Sequence, residues 1–269
     1  MLTLDLGPLA LSLSHVLLLA SLLLASLTGW RLGRRAGRNP EGVLFLLLLI
    51  ALLVARIAFV AGYFDEYAQA PWQMLDVRDG GFLAWPGLLA ALLVAAVLAW
   101  RDRPLRKPLL GALAVGVLLW GGGHLVLRSL EQGTRLPELA LQDLDGRPVA
   151  LHDHLGKPLV INLWATWCPP CRREMPVLAK AQARERNISF LIVNQGESAA
   201  DVRRFLAYSG LALDNLLLDS GSRLGQQVGS RALPTTLFYD AQGRQVGSHL
   251  GELSQASLAR ALEKLRPAP

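Results

Sequence analysis

Cysteine is nearly absent from this chain: its 269 residues contain only two, Cys168 and Cys171. A disulfide between residues so close in sequence closes a very small ring, and it therefore adds little stability through chain entropy. We interpret the pair as a disulfide that opens and closes during function. Because no cysteine precedes residue 168, the first half of the chain cannot pass electrons through paired thiols.

The scarcity of metal ligands argues against a zinc site at this pair. Structural zinc needs four ligands, and no second CxxC is present. Among the histidines, only His152 and His154 are close enough in sequence to form a pair of ligands, and they lie in a predicted loop before a strand. The sequence predicts no metal and no other cofactor. The remaining alternatives are an inert structural CxxC and a peroxidase-type single-cysteine site, although Cys171 offers a resolving thiol close by.

A concentrated excess of one charge is also missing. The net charge is +6, but residues 1–132 hold 11 basic and 8 acidic side chains and residues 133–269 hold 16 and 13. Each half therefore carries only +3. The densest basic clusters flank apolar runs, which is typical of membrane topology and not of nucleic-acid binding. We expect a lipid bilayer, and no nucleic acid, as a partner.

Four apolar stretches are long enough to span a bilayer. They cover Pro8–Trp30, Val43–Gly62, Phe82–Trp100 and Leu109–Val126. A cleaved signal peptide is an alternative for the first stretch, but the basic residues follow it instead of preceding it. The sequence predicts four transmembrane spans and a linker near Ser129–Arg135.

The charges of the connecting loops predict the orientation of these spans. Loop one is basic, with Arg31, Arg34, Arg35 and Arg38. Loop two is mainly acidic, with Asp65, Glu66, Asp76 and Asp79 against Arg78. Loop three is basic again, with Arg101, Arg103, Arg106 and Lys107. The positive-inside rule makes loops one and three cytoplasmic. Both termini then face outward, and the CxxC lies in an oxidising compartment.

The CxxC lies between a predicted strand and a predicted helix. Residues 158–164 are apolar and partly β-branched, which predicts a buried strand; residues 172–184 have a helical pattern. A strand, a CxxC and a helix in succession are typical of a thioredoxin-like redox motif. The positive end of the helix stabilises a thiolate at Cys168, which makes Cys168 the attacking thiol and Cys171 the resolving thiol.

The rest of the C-terminal half alternates between strand and helix patterns. The predicted strands are 139–141, 149–151, 158–164, 188–194, 216–218, 235–240 and 245–249, and the predicted helices are 169–186, 198–209, 222–228 and 254–265. The sequence therefore predicts an α-helical membrane anchor at residues 1–132 and an α/β thioredoxin-like domain at residues 133–269.

Two motifs in the second half resemble a known family. Residues 160–176 read VINLWATWCPPCRREMP and residues 233–238 read LPTTLF. Over residues 134–266 the chain is similar to the TlpA/ResA-like membrane-anchored thioredoxins, which reduce disulfides outside the cytoplasm. The resemblance implies a redox-active disulfide between Cys168 and Cys171 and a cis-proline at Pro234 that faces it. It also implies an acidic residue near the site, Glu174, and places Asn162 where thioredoxin has a buried aspartate.

The first half has a weaker resemblance. Residues 29–35, 54–63 and 80–87 read GWRLGRR, VARIAFVAGY and GGFLAWPG, and they resemble the front of prolipoprotein diacylglyceryl transferases. That enzyme has a histidine where Trp85 stands, and its later arginine-rich spans are missing here. We interpret this half as a degenerate, truncated anchor and not as an active transferase.

Together these patterns predict a membrane-anchored thiol-disulfide oxidoreductase in a bacterial inner membrane, with its C-terminal domain in the periplasm. We expect disulfide-containing extracytoplasmic proteins as substrates and a separate membrane thiol reductant as electron donor. Trp164 and Trp167 would form an apolar wall, the backbone of Leu233 would pair with substrate beside Pro234, and Glu174 would accept a proton from Cys171.

Two alternatives to a reductase stay open. The first is a thiol oxidase or isomerase on the same fold. The second is a lipid-handling membrane protein with an accessory thioredoxin domain. Arg56, inside the second span, bears on the second alternative, because it either contacts a lipid headgroup or pairs within the helix bundle.

Overall fold

The computed structural model describes residues 3–6, 9–68, 70–131, 134–230 and 232–266. The chain divides into two compact units, one of residues Leu13–Arg128 and one of Ser129–Pro269 with Met1–Ser12. The predicted linker includes Gln132 and Gly133, and the predicted domain boundary falls between them; both residues lie outside the described part of the chain.

The first unit contains four helices that are long and apolar enough to cross a membrane. They are α1 (Leu13–Ala36), α2 (Glu41–Gly62), α4 (Ala84–Arg101) and α5 (Arg103–Glu131); the short helix α3 (Phe64–Tyr67) and a 3-10 helix (Pro71–Leu75) lie between α2 and α4. The predicted number of spans is confirmed. The helices are mostly longer than the apolar runs because charged residues extend their ends, as Arg34 and Arg35 do in the last turn of α1.

The predicted start of the first span is wrong. Residues Thr3–Leu6 and Leu9–Ser12 form an antiparallel pair of strands, β1 and β2, and the helix begins only at Leu13. A short apolar run fits a strand as well as a helix, and residues 9–12 therefore looked like the first turn of a span.

Small residues bring α2 and α4 close together. Gly87, Ala91, Ala95 and Ala99 recur every fourth residue of α4, and all four are buried. A Cβ atom at Gly87 would overlap the carbonyl oxygen of Ala51 on α2. Small residues at this spacing allow helix backbones to approach, which is how helices pack in lipid, where apolar burial alone drives little association.

Arg56 is paired within the first unit. Its guanidinium donates to the carboxylate of Asp79 at 3.0 Å and to four backbone carbonyls, those of Gln73, Met74, Asp76 and Gly81. An arginine has five N–H donors, and these bonds use all of them. The side chain therefore fastens the loop between α2 and α4 and has no donor left for a lipid headgroup.

The second unit is built on a seven-stranded mixed sheet. In sheet order its strands are β4 (Pro148–Ala150), β3 (Ala140–Asp143), β7 (Leu216–Asp219), β6 (Ser189–Gln195), β5 (Leu159–Trp164), β8 (Thr235–Tyr239) and β9 (Gln245–Leu250). The three central strands β7, β6 and β5 are parallel, and their outer neighbours are antiparallel to them. Helices α6 (Pro169–Arg184), α7 (Ala199–Ser209), α8 (Arg223–Gln227) and α9 (Gln255–Glu263) follow the predicted order.

Alternating side chains of β5 contribute to a core on each face of this sheet. Val160 and Trp164 pack with the buried faces of α6, α7 and α9, whereas Leu159, Ile161 and Leu163 pack with α8. Asn162 shares the first face, because it lies two residues from each of Val160 and Trp164. The predicted thioredoxin-like fold is confirmed, except that Leu151, predicted as the last residue of a strand, is the first residue of a 3-10 helix, Leu151–His154.

Candidate redox site

Cys168 and Cys171 lie at the start of α6, directly after the short loop that follows β5. Their sulfur atoms are bonded, and their Cα atoms are 5.3 Å apart. Cys168 is the N-cap of α6, and its sulfur accepts a hydrogen bond from the backbone N–H of Cys171 at 3.3 Å. Pro169 and Pro170 occupy the first two helical positions and lack an N–H. Cys171 is therefore the first residue of the helix that can donate to the sulfur of Cys168.

The two cysteines differ slightly in access to solvent. Cys168 is 3% exposed, and Cys171 is completely buried. Both residues of the oxidised pair are therefore buried, and Cys168 is the more accessible of the two by a narrow margin. A reagent or substrate that approaches along the surface meets Cys168 first.

The structure places the two tryptophans of the expected apolar wall differently. Trp167 is 67% exposed and lies directly before Cys168, whereas Trp164 is completely buried. The ring of Trp164 packs on Phe205 of α7, with 5.3 Å between ring centroids. Of the two, only Trp167 offers surface to a substrate, and Trp164 supports the wall from inside.

The loop before β8 has the geometry that the family resemblance implied. The Leu233–Pro234 peptide bond is cis, which confirms that prediction. Leu233 is partly buried and packs against the cluster that contains both cysteines. Within the described part of the chain, we find no hydrogen bond to the backbone of Leu233.

Glu174 lies one turn beyond Cys171, completely buried. One carboxylate oxygen accepts from Nδ2 of Asn162 at 2.8 Å, and the other accepts from the backbone N–H of Leu253 at 3.0 Å. Burial raises the pKa of Glu174 to about 8, and these two hydrogen bonds only partly oppose it. A carboxyl with this pKa exchanges its proton near the pH at which thiols ionise.

Glu197 holds the segment that precedes Cys168. This residue was not among the site residues predicted from the sequence. Its carboxylate accepts from the backbone N–H of Thr166 at 2.7 Å, from the hydroxyl of Thr166, and from Nδ2 of Asn194 at 2.7 Å. These bonds fix residues 165–167 relative to the end of β6. Glu197 lies 31 positions from Thr166 in the sequence, and no local pattern signals their contact.

Known proteins match the two halves of the chain separately. The family model described as Redoxin matches residues 131–263, and the model described as Prolipoprotein diacylglyceryl transferase matches residues 2–127. The thiol-disulfide oxidoreductase ResA of Halalkalibacterium halodurans is 32% identical over 143 residues, which cover 52% of this chain and 81% of that protein. The protein of the same name from Bacillus thuringiensis is 29% identical and covers 57% of this chain and 90% of its own length.

A solved structure is similar as well. The putative thiol:disulfide interchange protein DsbE from Chlorobium tepidum is 26% identical, with a TM-score of 0.46, over 50% of this chain and 98% of that one. The bonded CxxC at the start of α6, the mixed sheet and the two ResA relatives define a thiol-disulfide oxidoreductase with a thioredoxin-like domain. The chain belongs to the ResA family of thiol-disulfide oxidoreductases, and its four apolar helices indicate a membrane protein.

Proposed function

We propose that this protein reduces disulfides of extracytoplasmic proteins from a site formed by Cys168 and Cys171. The observation that carries the proposal is the bonded pair at the first turn of α6, in which Cys171 is fully buried and Cys168, at 3% exposed, is the more accessible residue. A reductase needs this asymmetry, because one sulfur must reach the substrate while the other resolves the intermediate.

The reaction has two exchange steps. The thiolate of Cys168 attacks one sulfur of the substrate disulfide, which breaks that bond, forms a mixed disulfide and releases the first substrate thiolate. The thiolate of Cys171 then attacks the sulfur of Cys168 and releases the second substrate thiolate. The substrate gains two electrons and two protons, and the protein is left with the Cys168–Cys171 disulfide.

Residues around the pair assist these steps. In its ionised form Glu174 takes the proton of Cys171, since it lies three residues further along the same helix and is also buried. The backbone of Leu233, beside Pro234, pairs with the substrate chain. The exposed ring of Trp167 covers the attacked disulfide.

The electrons come from a separate membrane thiol reductant. Residues 1–132 contain no cysteine, and residues 133–269 contain only the pair that reacts with substrate. A thiol donor of another chain must therefore reduce the Cys168–Cys171 disulfide after each turnover. We place residues 1–132 as a four-span anchor in a bacterial inner membrane and residues 133–269 in the periplasm, following the loop charges.

The anchor has no role in lipid transfer in this proposal. Trp85 occupies the position of a histidine in the diacylglyceryl transferases that this half resembles. An indole cannot exchange a proton as an imidazole does. Arg56 has no donor left for a headgroup, because five acceptors of the adjoining loop use them all.

A turnover assay tests the proposed activity. The full chain in lipid nanodiscs is reduced, freed of reductant and mixed with a peptide that contains one disulfide, and new peptide thiols are counted. The wild type should produce two peptide thiols per reduced protein, and Cys168→Ser should produce none. An unreacted peptide with the wild type, or equal reaction with Cys168→Ser, would exclude Cys168 as the attacking thiol.

A further inference from the structure

A groove beside the redox pair runs between α6 and α7. One part of it has a volume of about 410 Å³ and is bordered by Pro169, the residue after Cys168. The adjoining part has a volume of about 390 Å³ and reaches Thr166, two residues before Cys168. Arg172, Phe205 and Tyr208 line both parts. Any chain segment that continues from a disulfide held at Cys168 has this groove next to it.

The side chains shared by both parts are of the kinds that dominate protein interfaces. Tyr208 is 86% exposed, although it is a large aromatic residue on a helix whose other face is packed against the core. The guanidinium of Arg172 lies 5.9 Å from the centroid of the Phe205 ring. Tyrosine and arginine, with tryptophan, are the residues most enriched at the energetic centres of interfaces, and exposed Trp167 precedes Cys168 in the chain.

The charge of the groove favours an acidic partner. Arg173 pairs with Glu252 at 2.6 Å, and Arg204 pairs with Asp201 at 3.4 Å. In the described part of the chain, Arg172 has no carboxylate partner. Glu197 also lines the groove, but its two oxygens already accept three hydrogen bonds from Thr166 and Asn194. These donors are neutral and leave the charge of Glu197 in place. The lining residues carry three guanidinium groups (Arg172, Arg173 and Arg204) and two carboxylates (Glu197 and Asp201), so the groove keeps one net positive charge.

We propose that the groove between α6 and α7 binds the substrate polypeptide next to its attacked cysteine, with an acidic side chain of the substrate on Arg172 and an apolar or aromatic one on Tyr208 and Phe205. This inference rests on the proposed function and adds a preference to it. The preference depends on binding and not on exchange chemistry, so a small neutral disulfide should not detect it.

Two peptides test the preference. Each contains one disulfide, and its cysteines are flanked on both sides by Glu in the first peptide and by Gln in the second. Hydroxyethyl disulfide serves as the small neutral probe. The reduced full chain in nanodiscs is mixed with each disulfide, and the second-order rate constant of its oxidation is followed by tryptophan fluorescence. The variants are Arg172→Gln, Arg172→Glu and Tyr208→Ala.

The wild type should react roughly three- to fivefold faster with the Glu peptide than with the Gln peptide, which is the ratio that an exposed ion pair supplies. The ratio should fall to about one in Arg172→Gln and below one in Arg172→Glu. Tyr208→Ala should lower the rate constant with both peptides roughly fivefold, as loss of an aromatic side chain at an interface does. Tyr208→Ala should react with hydroxyethyl disulfide at the wild-type rate. Each peptide rate of the Arg172 variants is divided by the same variant's rate with hydroxyethyl disulfide, because a charge beside the pair also changes the reactivity of Cys168.

A matched control separates this effect from net charge. Arg184→Gln removes one positive charge from the last turn of the same helix, where Arg184 pairs with Glu185, and it should keep the wild-type ratio. An equal Glu-to-Gln ratio in the wild type and in Arg172→Gln would overturn the groove as a substrate site. If the wild type reacts with none of the three disulfides, the proposed function fails, and the groove loses its role with it.

Discussion

Nδ2 of Asn162 lies 2.8 Å from Oε1 of Glu174, and this hydrogen bond joins the middle of β5 to the helix that carries Cys171. The same amide nitrogen donates to the hydroxyl of Thr236 on β8 at 2.9 Å. Asn162 therefore fixes the buried carboxyl with respect to two strands. A carboxyl held in this way cannot move to water when it ionises, which is why burial dominates its pKa.

The pKa of Glu174 predicts a pH-dependent stability. In the folded protein this carboxyl keeps its proton up to about pH 8, whereas its ordinary pKa of 4.5 applies when the chain is unfolded. Between these values the unfolded state binds fewer protons than the folded state, so stability falls as pH rises. The unfolding temperature of the wild type should therefore drop relative to that of Glu174→Gln between pH 5 and pH 8.

The control for this titration is Glu185→Gln. Glu185 follows α6 and pairs at the surface with Arg184 and Arg266. Its substitution should leave the pH profile parallel to that of the wild type in thermal scans of the oxidised full chain. A Glu174→Gln profile that also ran parallel to the wild type would show that the carboxyl ionises at its ordinary pH.

The order in which the two thiols react can be measured directly. After reduction, iodoacetamide should label Cys168 before Cys171, because Cys168 caps α6 and is the more accessible of the two. Its thiol pKa should fall within the range of roughly 3.5–7.5 seen for cysteines at helix N-termini. Peptide mass spectrometry after short exposures gives the order, and earlier labelling of Cys171 would reverse the assigned roles.

Single-cysteine variants give an independent check of these roles. In cells, Cys171→Ser should accumulate mixed disulfides with outer-compartment proteins, because the resolving thiol is missing. Cys168→Ser should accumulate few or none. Non-reducing gels would detect the adducts, and equal trapping by both variants would contradict the assignment.

Reporter fusions test the membrane orientation. Alkaline phosphatase fused after the last residue should be active, and green fluorescent protein exported to the same position by the general pathway should be dark. A fusion after Asn39, in the first basic loop, should show the opposite pattern. The expected orientation depends on the charges of the loops alone. The reversed pattern of reporter activity would overturn the arrangement in which both termini face outward.

Arg56 and Arg78 form a matched pair of substitutions in the first unit. The Arg56–Asp79 ion pair is buried, whereas the Arg78–Asp76 pair is largely exposed. Arg56→Ala removes the cation from a buried carboxylate and should cost about 3–5 kcal/mol, and Arg78→Ala should cost about 1 kcal/mol or less. The two variants are compared by heating each in detergent and measuring the fraction of protein that stays monodisperse. Similar losses in both variants would refute the structural role of Arg56.

Local sequence was sufficient to predict much of the fold and the bonded cysteine pair. Cys168, Cys171 and Pro234 lie in short motifs, and the alternation of β5 and the helical pattern of α6 depend only on neighbouring residues. The strand Leu9–Ser12 was mistaken for a helix because a short, mainly apolar run fits both. The long-range contacts could not be predicted: Glu197 with Thr166, Glu174 with Leu253, and Arg172 with Phe205 meet only after the sheet order and the helix positions are set.

The redox potential of the Cys168–Cys171 pair tests the central claim most directly. The full chain in lipid nanodiscs is equilibrated with glutathione buffers of known ratio, and the thiols are counted after acid quenching. A disulfide reductase should have a potential more negative than about −180 mV, toward the roughly −270 mV of thioredoxin. A potential less negative than about −180 mV, toward the roughly −120 mV of a strong dithiol oxidant, would contradict the account and assign the protein to disulfide formation.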